Sequence, residues 1–214
     1  MVEPPRRPDL VLDELESGSE QDLVLERALD GVSVTDADVG GERLPDRSLT
    51  ECHLERVRFD GAVLDGARWR ECRLVDCAAT SLRAASARWR EVLLEGGRYG
   101  ALELYDGDLR VVELVGVRID YLNLRGADVA DLRLERCHLG ALDLTDAAVA
   151  RVAFEDCEVT DLAVRGATLT DVDLRDARLT TVTGLAGLRG ATVSPAQLHD
   201  LAPLLADEWG IRVG

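Results

Sequence analysis

The chain has 214 residues, of which 46% are apolar and only 4% aromatic. This composition excludes wholesale disorder and indicates one domain whose core is filled by aliphatic side chains. The 41 acidic against 25 basic residues give a net charge of -16, which argues against nucleic acid or an anionic membrane as a direct partner.

Residues 1–20 form an acidic, proline-containing segment that we interpret as flexible. The segment holds no apolar run long enough for a signal peptide, and the chain has no run of about 18 apolar residues. The five cysteines are an odd number, which fits free thiols better than a disulfide framework. These features predict a cytoplasmic protein.

A five-residue register runs without a slip through residues 47–179. From Leu49 onward every fifth residue is bulky and apolar, except Ala79 and Ala84. The position two residues earlier is small or apolar, except Arg47 at the edge of the register. Two inward side chains separated by one outward side chain form a short β-strand, and the other two residues of each unit must turn a corner. We expect looser units in residues 22–46 to form a first, irregular coil.

A second, longer period shows how many sides each coil has. At every fourth unit leucine recurs on one side and a small residue on the next: Leu82, Leu102, Leu122, Leu142 and Leu162, then Ala67, Ala87, Gly107, Ala127, Ala147 and Ala167. Every fourth unit therefore lies on its predecessor. This predicts a four-sided solenoid of about seven coils, roughly 30 Å long at about 4.8 Å per coil.

Trp69 and Trp89 occupy central positions four units apart, so we expect their rings to stack. They are large for a narrow core, and the undersized centres Ala79 and Ala84 compensate for their volume. The alternative is an aromatic patch for a partner, which would require one ring to face solvent.

The units RGADV, TDAAV, RGATL and RDARL, with centres Val129, Val149, Leu169 and Leu179, follow an A-(D/N)-L-x-x theme. With this theme the chain resembles the pentapeptide-repeat family over about two thirds of its length. The resemblance implies an all-β solenoid in the form of a right-handed, four-sided β-helix. Some members of the family protect DNA gyrase from quinolones or peptide toxins by resembling a DNA duplex, and some pair through their C-terminal ends.

We assign residues 21–181 to the β-helix and residues 182–214 to a C-terminal helical segment, because an uncovered last coil would pair with other chains. Ser194, Pro195 and Gln197 supply an N-cap, a proline at the first helical position and a capping box. The apolar side of this helix comprises Leu198, Leu201, Leu204, Leu205 and Trp209. We interpret the helix as a cap; the resemblance implies dimerisation as the alternative.

The sequence contains no motif for catalysis, for a cofactor or for a metal. Cys52 and Cys72, like Cys137 and Cys157, are four units apart in inward columns, so a disulfide is geometrically conceivable, although we favour free thiols. Carboxylates are plentiful outside, but a convex rod without inserted loops offers no pocket in which their pKa values could be set apart. We therefore predict a protein that is not an enzyme.

The charge is spread unevenly. Residues 43–181 carry 26 acidic and 20 basic residues, a net charge about a third of the roughly 18 charges of a duplex 30 Å long. One side, with centres from Leu54 to Leu174, carries nine acidic residues against five arginines. We call its candidate partner-binding residues the acidic face: Glu55, Glu95, Glu113, Glu135, Glu155 and Asp156. The alternative is a solvated surface laced with ion pairs.

The sequence thus predicts a non-catalytic protein-interaction scaffold, a rigid acidic rod that binds an unidentified protein partner. The alternative, which the resemblance implies, is a DNA mimic that binds DNA gyrase, a type II topoisomerase, and confers resistance to fluoroquinolones or toxins. Neither hypothesis involves direct binding of nucleic acid or membrane. The resemblance further implies a homodimer formed through the C-terminal segment.

Overall fold

The computed structural model describes residues 2–212, and within them the chain forms short strands with a helix near each end. In chain order the elements are β1 (Glu16–Ser17), α1 (Glu20–Leu25), β2 (Ala28–Asp30), β3 (Val32–Thr35), β4 (Ser48–Thr50), β5 (His53–Glu55), β6 (Ala62–Val63), β7 (Arg68–Val75), β8 (Ala78–Arg83), β9 (Arg88–Glu95), β10 (Arg98–Glu103), β11 (Asp108–Val115), β12 (Arg118–Asn123), β13 (Asp128–Glu135), β14 (His138–Asp143), β15 (Ala148–Glu155), β16 (Cys157–Ala163), β17 (Thr168–Asp173), β18 (Ala177–Thr183), β19 (Ala191–Thr192) and α2 (Pro195–Glu208). A 3₁₀ turn at Leu185–Leu188 lies between β18 and β19.

The strands make two parallel sheets around one core. One sheet contains the odd-numbered strands together with β2 and β4, and the other contains the even-numbered strands from β6 to β18. Leu102 pairs with Leu82 below and with Leu122 above, as the four-unit period predicts. The chain is therefore a parallel β-solenoid built from five-residue units, four to a coil, and the predicted fold class is confirmed.

The solenoid has about nine turns rather than seven. At the N-terminal end β1 pairs with β3 by joining Glu16 to Val32, and at the C-terminal end β19 pairs with β17 by joining Ala191 to Val172. Four full units would separate paired residues by 20 positions. The spacing between Glu16 and Val32 is four positions shorter, and the spacing between Val172 and Ala191 is one position shorter. A count based on an unbroken five-residue register misses both turns, because neither spacing is a multiple of five.

Single residues in the left-handed conformation turn many of the corners. Arg56 and Asp76, which are equivalent in successive coils, have φ angles of 51° and 50°. Their N–H groups donate to the carbonyls of Val75 and Glu95 in the next coil, over 2.9 and 2.8 Å. The hydrogen-bond ladder therefore continues around the corner, which offsets the roughly 1–2 kcal/mol that this conformation costs a non-glycine residue.

The core contains the predicted tryptophan stack. The rings of Trp69 and Trp89 are 4.8 Å apart and inclined by 7°, and both are buried, so neither forms a solvent-facing patch. Ala79 pairs with Tyr99 of the next coil, so a small centre lies directly below a large one. Neither indole N–H has a hydrogen-bond partner within residues 2–212; the stack is therefore stabilised by packing.

A helix covers part of each end of the core. At the N-terminal end α1 begins with a capping box between Ser19 and Asp22 and buries Leu23. This helix was not predicted from the sequence, although Ser19 and Asp22 have the spacing of a capping box. At the C-terminal end Gln197 completes the predicted capping box, and its Nε2 donates to the carbonyls of Leu174 and Ala177, over 2.6 and 2.7 Å.

The apolar residues of α2 divide into two groups. Leu201 is buried and Leu205 packs partly against the core. Leu198, Leu204 and Trp209 remain 52%, 44% and 76% exposed. The helix therefore covers the last coil with two of its five apolar side chains, and its role in dimerisation stays a prediction.

Replacing Trp69 by alanine should lower the free energy of unfolding by about 3–5 kcal/mol, because a buried ring is removed and a cavity remains. Denaturant unfolding monitored by circular dichroism measures this change. The control is Leu25→Ala, which removes an apolar side chain that is 72% exposed and should change stability by about 0.5 kcal/mol or less. Equal effects of the two substitutions would contradict a structural role for the stack.

Candidate functional site

The acidic face is interrupted along the solenoid. Glu135 pairs with Glu155 in the adjacent strands β13 and β15. Between Glu95 and Glu135, however, lies the coil that places Val115 at the equivalent position. The outward carboxylates of this column therefore do not form one continuous row.

Arg133 is the hub of the acidic face. Its side chain is only 11% exposed, and its guanidinium lies 3.0 Å from Glu113 and 3.3 Å from Glu135 and also contacts Glu155. The hydrogen bond from Arg133 lowers the pKa of Glu135, with a further contribution from Arg136. One cation thus contacts three of the six carboxylates.

Most of the remaining carboxylates are paired as well. Glu55 contacts Arg56, and Glu95 contacts Arg73 from the preceding coil. Asp156 has no ion-pair partner among the residues that the structure describes. Local pairing therefore cancels much of the charge of the acidic face, which makes the surface less like a duplex than the count of acidic residues suggests.

Residues 2–15 lie along the outside of the solenoid, and we call them the N-terminal strap. Val2 lines a surface depression with Asp171 near the C-terminal end. The backbone N–H of Asp9 donates to Glu91 over 3.2 Å, and β1 follows at the N-terminal end. The strap thus runs along the rod from one end toward the other, and the flexibility expected of this segment stays a prediction.

The central contact of the strap is between Arg6 and Asp131. The backbone N–H, Nε and Nη2 of Arg6 donate to the Asp131 carboxylate over 3.1, 3.0 and 2.8 Å. Arg7 follows at 4.0 Å from Glu113 of the acidic face. The strap therefore borders one of the predicted partner-binding residues and helps to bury it.

Asp131 is a fully buried carboxylate on the outside of the rod. Besides Arg6, it accepts hydrogen bonds from Nε and Nη2 of Arg151 over 2.8 and 2.9 Å. The hydrogen bonds from Arg151, and then those from Arg6, hold the pKa of Asp131 well below its usual range against the opposing effect of burial. Sequence periodicity did not mark this residue, because it occupies an ordinary corner position.

All five cysteines are free, and their side chains are buried. Burial raises the pKa of Cys77 to about 11, so its thiol stays protonated at neutral pH, whereas the hydrogen bond with Cys72 lowers the pKa of Cys52. His138 Nδ1 lies 3.0 Å from Glu158 on the outer surface. Within residues 2–212 no group of three or more His, Cys, Asp or Glu side chains could hold a metal ion.

A small cavity lies at the N-terminal end of the core, and the helices are short. The cavity beneath α1, lined by Leu23, Leu44 and Phe59, measures about 20 Å³, roughly the space of one water molecule. Across residues 2–212, the helices are too short or too polar for any of them to span a bilayer.

No family model matches the sequence, and neither does any curated protein. Among solved structures, full-length QnrB1, a plasmid-mediated fluoroquinolone resistance protein, is 16% identical at a TM-score of 0.38; the match covers 92% of this chain and 95% of QnrB1. HetL, a pentapeptide repeat protein involved in heterocyst differentiation regulation in the cyanobacterium Nostoc sp. strain PCC 7120, is 15% identical at a TM-score of 0.32; the match covers 79% of this chain and 92% of HetL.

The pentapeptide repeat protein Rfr23 from the cyanobacterium Cyanothece 51142 is 13% identical at a TM-score of 0.17, over 82% of this chain and 92% of Rfr23. The fold of the present chain is established by its own strand pairing. These similarities bear on neither its partner nor its activity.

Replacing Arg133 by methionine should lower the free energy of unfolding by about 1–3 kcal/mol, because nearby carboxylates lose a charged donor that is largely withdrawn from solvent. The loss should be greatest at neutral pH and shrink as Glu135 is protonated in acid, since Arg133 lowers the folded-state pKa of that carboxyl. Denaturant unfolding at a series of pH values measures both effects.

Arg136→Met is the matched control, because Arg136 contacts Glu135 but its side chain is 58% exposed. Its loss should cost about 0–1 kcal/mol. An effect of Arg133→Met as small as that of Arg136→Met, with no larger change between neutral and acid pH, would show that the hub does not stabilise the fold.

Proposed function

We propose that this protein is a non-catalytic interaction scaffold, a rigid rod that presents its acidic face to a basic surface of a protein partner. The observation that carries the proposal is the unbroken four-unit pairing from β7 to β17. Such a ladder fixes the spacing of outward side chains over several coils, and a rigid array of this kind loses little conformational entropy when it binds.

Some arginines that pair with the acidic face can be replaced by basic side chains of a partner. The side chains of Arg56 and Arg136 are 47% and 58% exposed, and exposed pairs contribute only about 0–1 kcal/mol. A lysine or arginine of the partner can take the place of either side chain at small cost. Asp156, at the same edge, is available without any exchange.

The DNA-mimic alternative draws on the acidic composition and on the rod shape. A mimic needs a dense row of negative charge, whereas Arg133 and Arg73 neutralise successive carboxylates of this face. We therefore rank binding to DNA gyrase below binding to a basic protein partner.

A variant with Glu95, Glu135 and Glu155 changed to lysine should no longer capture the partner in a pull-down from lysate of the source cells. The reason is that the substitutions replace attraction between the acidic face and a basic partner by repulsion. The matched control reverses Glu103, Glu158 and Asp161, which changes the net charge equally on other sides. A partner retained by the first variant, or lost equally from both, would contradict the acidic face as the binding surface.

The same two triple variants distinguish the alternative in a gyrase supercoiling assay with and without a fluoroquinolone. Inhibition or drug protection by the wild-type chain, lost only when the acidic face is reversed, would support the DNA mimic over the scaffold. No effect of the wild-type chain at any concentration would exclude the mimic.

The C-terminal helix carries a separate proposal, a homodimer formed through Leu198, Leu204 and Trp209. All three are large, apolar and exposed, and Ile211 beside them is 58% exposed. Light scattering after size exclusion should give twice the chain mass for the wild type and the single mass for a variant with Leu198 and Leu204 changed to serine. A wild-type monomer at high concentration would contradict the dimer.

A further inference from the structure

One corner of the solenoid is buried where a corner should be exposed. Its outward column holds Glu91, Val111, Asp131 and Arg151 in successive coils, all in the left-handed conformation with φ between 52° and 59°. Glu91 and Arg151 are partly exposed, whereas Val111 is 7% and Asp131 0% exposed. Two neighbouring corner residues are thus withdrawn from solvent.

The N-terminal strap provides the cover. Arg6 binds Asp131, and Asp9 binds Glu91 two coils below. Val111 is the corner residue of the coil between them, so residues 6–9 must cross it. Val111 is also unusual, because a β-branched residue seldom adopts the left-handed conformation, and equivalent corners hold charged residues.

The spacing of these contacts shows that the strap is extended. Two coils correspond to about 9.6 Å, which residues 6–9 span with three steps of about 3.2 Å each. This is the rise of an extended or polyproline II chain. Pro4, Pro5 and Pro8 favour this conformation because proline fixes φ, and Pro5 and Pro8 are partly buried.

An extended chain with three residues per turn presents every third residue on the same side. In the strap these residues are Glu3, Arg6 and Asp9. The pKa of Arg151 is raised first by its hydrogen bonds to Asp131 and also by the charge of Glu3. Two of the three strap residues therefore face an opposite charge, Glu3 toward Arg151 and Arg6 toward Asp131, whereas Asp9 contacts Glu91 through its backbone N–H.

We propose that this corner, defined by Glu91, Val111, Glu113, Asp131 and Arg151 and named the Asp131 seat, binds an extended, arginine-bearing peptide segment of a protein partner, and that residues 3–9 occupy it in cis. The seat supplies a buried carboxylate for one arginine, a second carboxylate for its neighbour and an apolar surface between coils. The proposal rests on the proposed scaffold function and specifies the chemistry of the partner.

The strap is held in a way that permits displacement. Within residues 2–212 the first backbone–backbone hydrogen bond from the N-terminal region to the solenoid is made by Glu16, so residues 2–15 depend on side-chain contacts. The side chains of Arg6 and Arg7 remain 69% and 60% exposed. A tethered segment competes at an effective concentration on the order of millimolar, which keeps the seat closed to weak ligands.

The test uses a fluorescent peptide with the sequence of residues 2–12 and measures its binding to full-length protein by fluorescence anisotropy. Full-length protein with Arg6→Ala and Arg7→Ala, in which the strap is released, should bind the peptide at least about tenfold more tightly than the wild type, because the tethered competitor is lost. A peptide with both arginines replaced by alanine should not bind.

Two further substitutions in the released background locate the site. Asp131→Asn removes the buried charge, and Val111→Glu installs the residue type found at Glu91, the corner directly below, so that the coil should still fold. Each should weaken peptide binding at least about tenfold, the loss expected from one charge-assisted contact or one apolar contact of about 1.4 kcal/mol. Circular dichroism confirms that each variant is folded.

Equal binding by the wild type and the released variant, binding of the arginine-free peptide, or undiminished binding by the folded Val111→Glu variant would overturn the proposal. The assay needs no cellular partner. A negative peptide-binding result therefore overturns the Asp131 seat alone, and the acidic face is still tested by the charge-reversal pull-down. A negative pull-down likewise contradicts the acidic face, and the Asp131 seat is still tested by the peptide.

Discussion

The constraint on which this structure depends is the four-unit spacing between paired strands. Parallel strands stack at about 4.8 Å only while inward side chains fall above inward side chains, and a slip of one residue would turn the apolar column toward solvent. Left-handed corner residues such as Arg56 and Asp76 keep the backbone hydrogen bonds continuous around the bend. The positions of all outward groups follow from this ladder.

The charge of the protein is organised by the same ladder. Carboxylates and arginines from neighbouring coils meet at fixed distances, and Arg133 alone gathers three carboxylates from three coils. The rod is therefore less acidic at its surface than its composition implies. Residues 1–42, with 12 acidic and 3 basic residues, contain much of the imbalance, and part of this segment lies along the rod as the strap.

Sequence reasoning succeeded where the signal repeats and failed where it is not periodic. Three features follow from the four-unit period and from capping chemistry, and the structure confirms all of them. They are the leucine column through Leu102, the stack of Trp69 on Trp89 and the start of α2 at Ser194. The pairing of Arg6 with Asp131 joins residues 125 positions apart and has no periodic signature. The turn closed by β19 was missed because its spacing shortens by one residue.

The strap also constrains how the rod can change in length. A solenoid accommodates the gain or loss of a whole coil, because each coil contacts only its neighbours. The strap, however, spans the coils of Glu91, Val111 and Asp131 with a fixed number of extended residues. A coil inserted anywhere between β1, where the strap is anchored, and Asp131 would move Arg6 away from its carboxylate, whereas a coil inserted after Arg151 would leave that contact in register. The strap therefore fixes the number of coils in the part of the rod that it spans. Coils should be gained or lost without breaking the Arg6–Asp131 contact only outside that part.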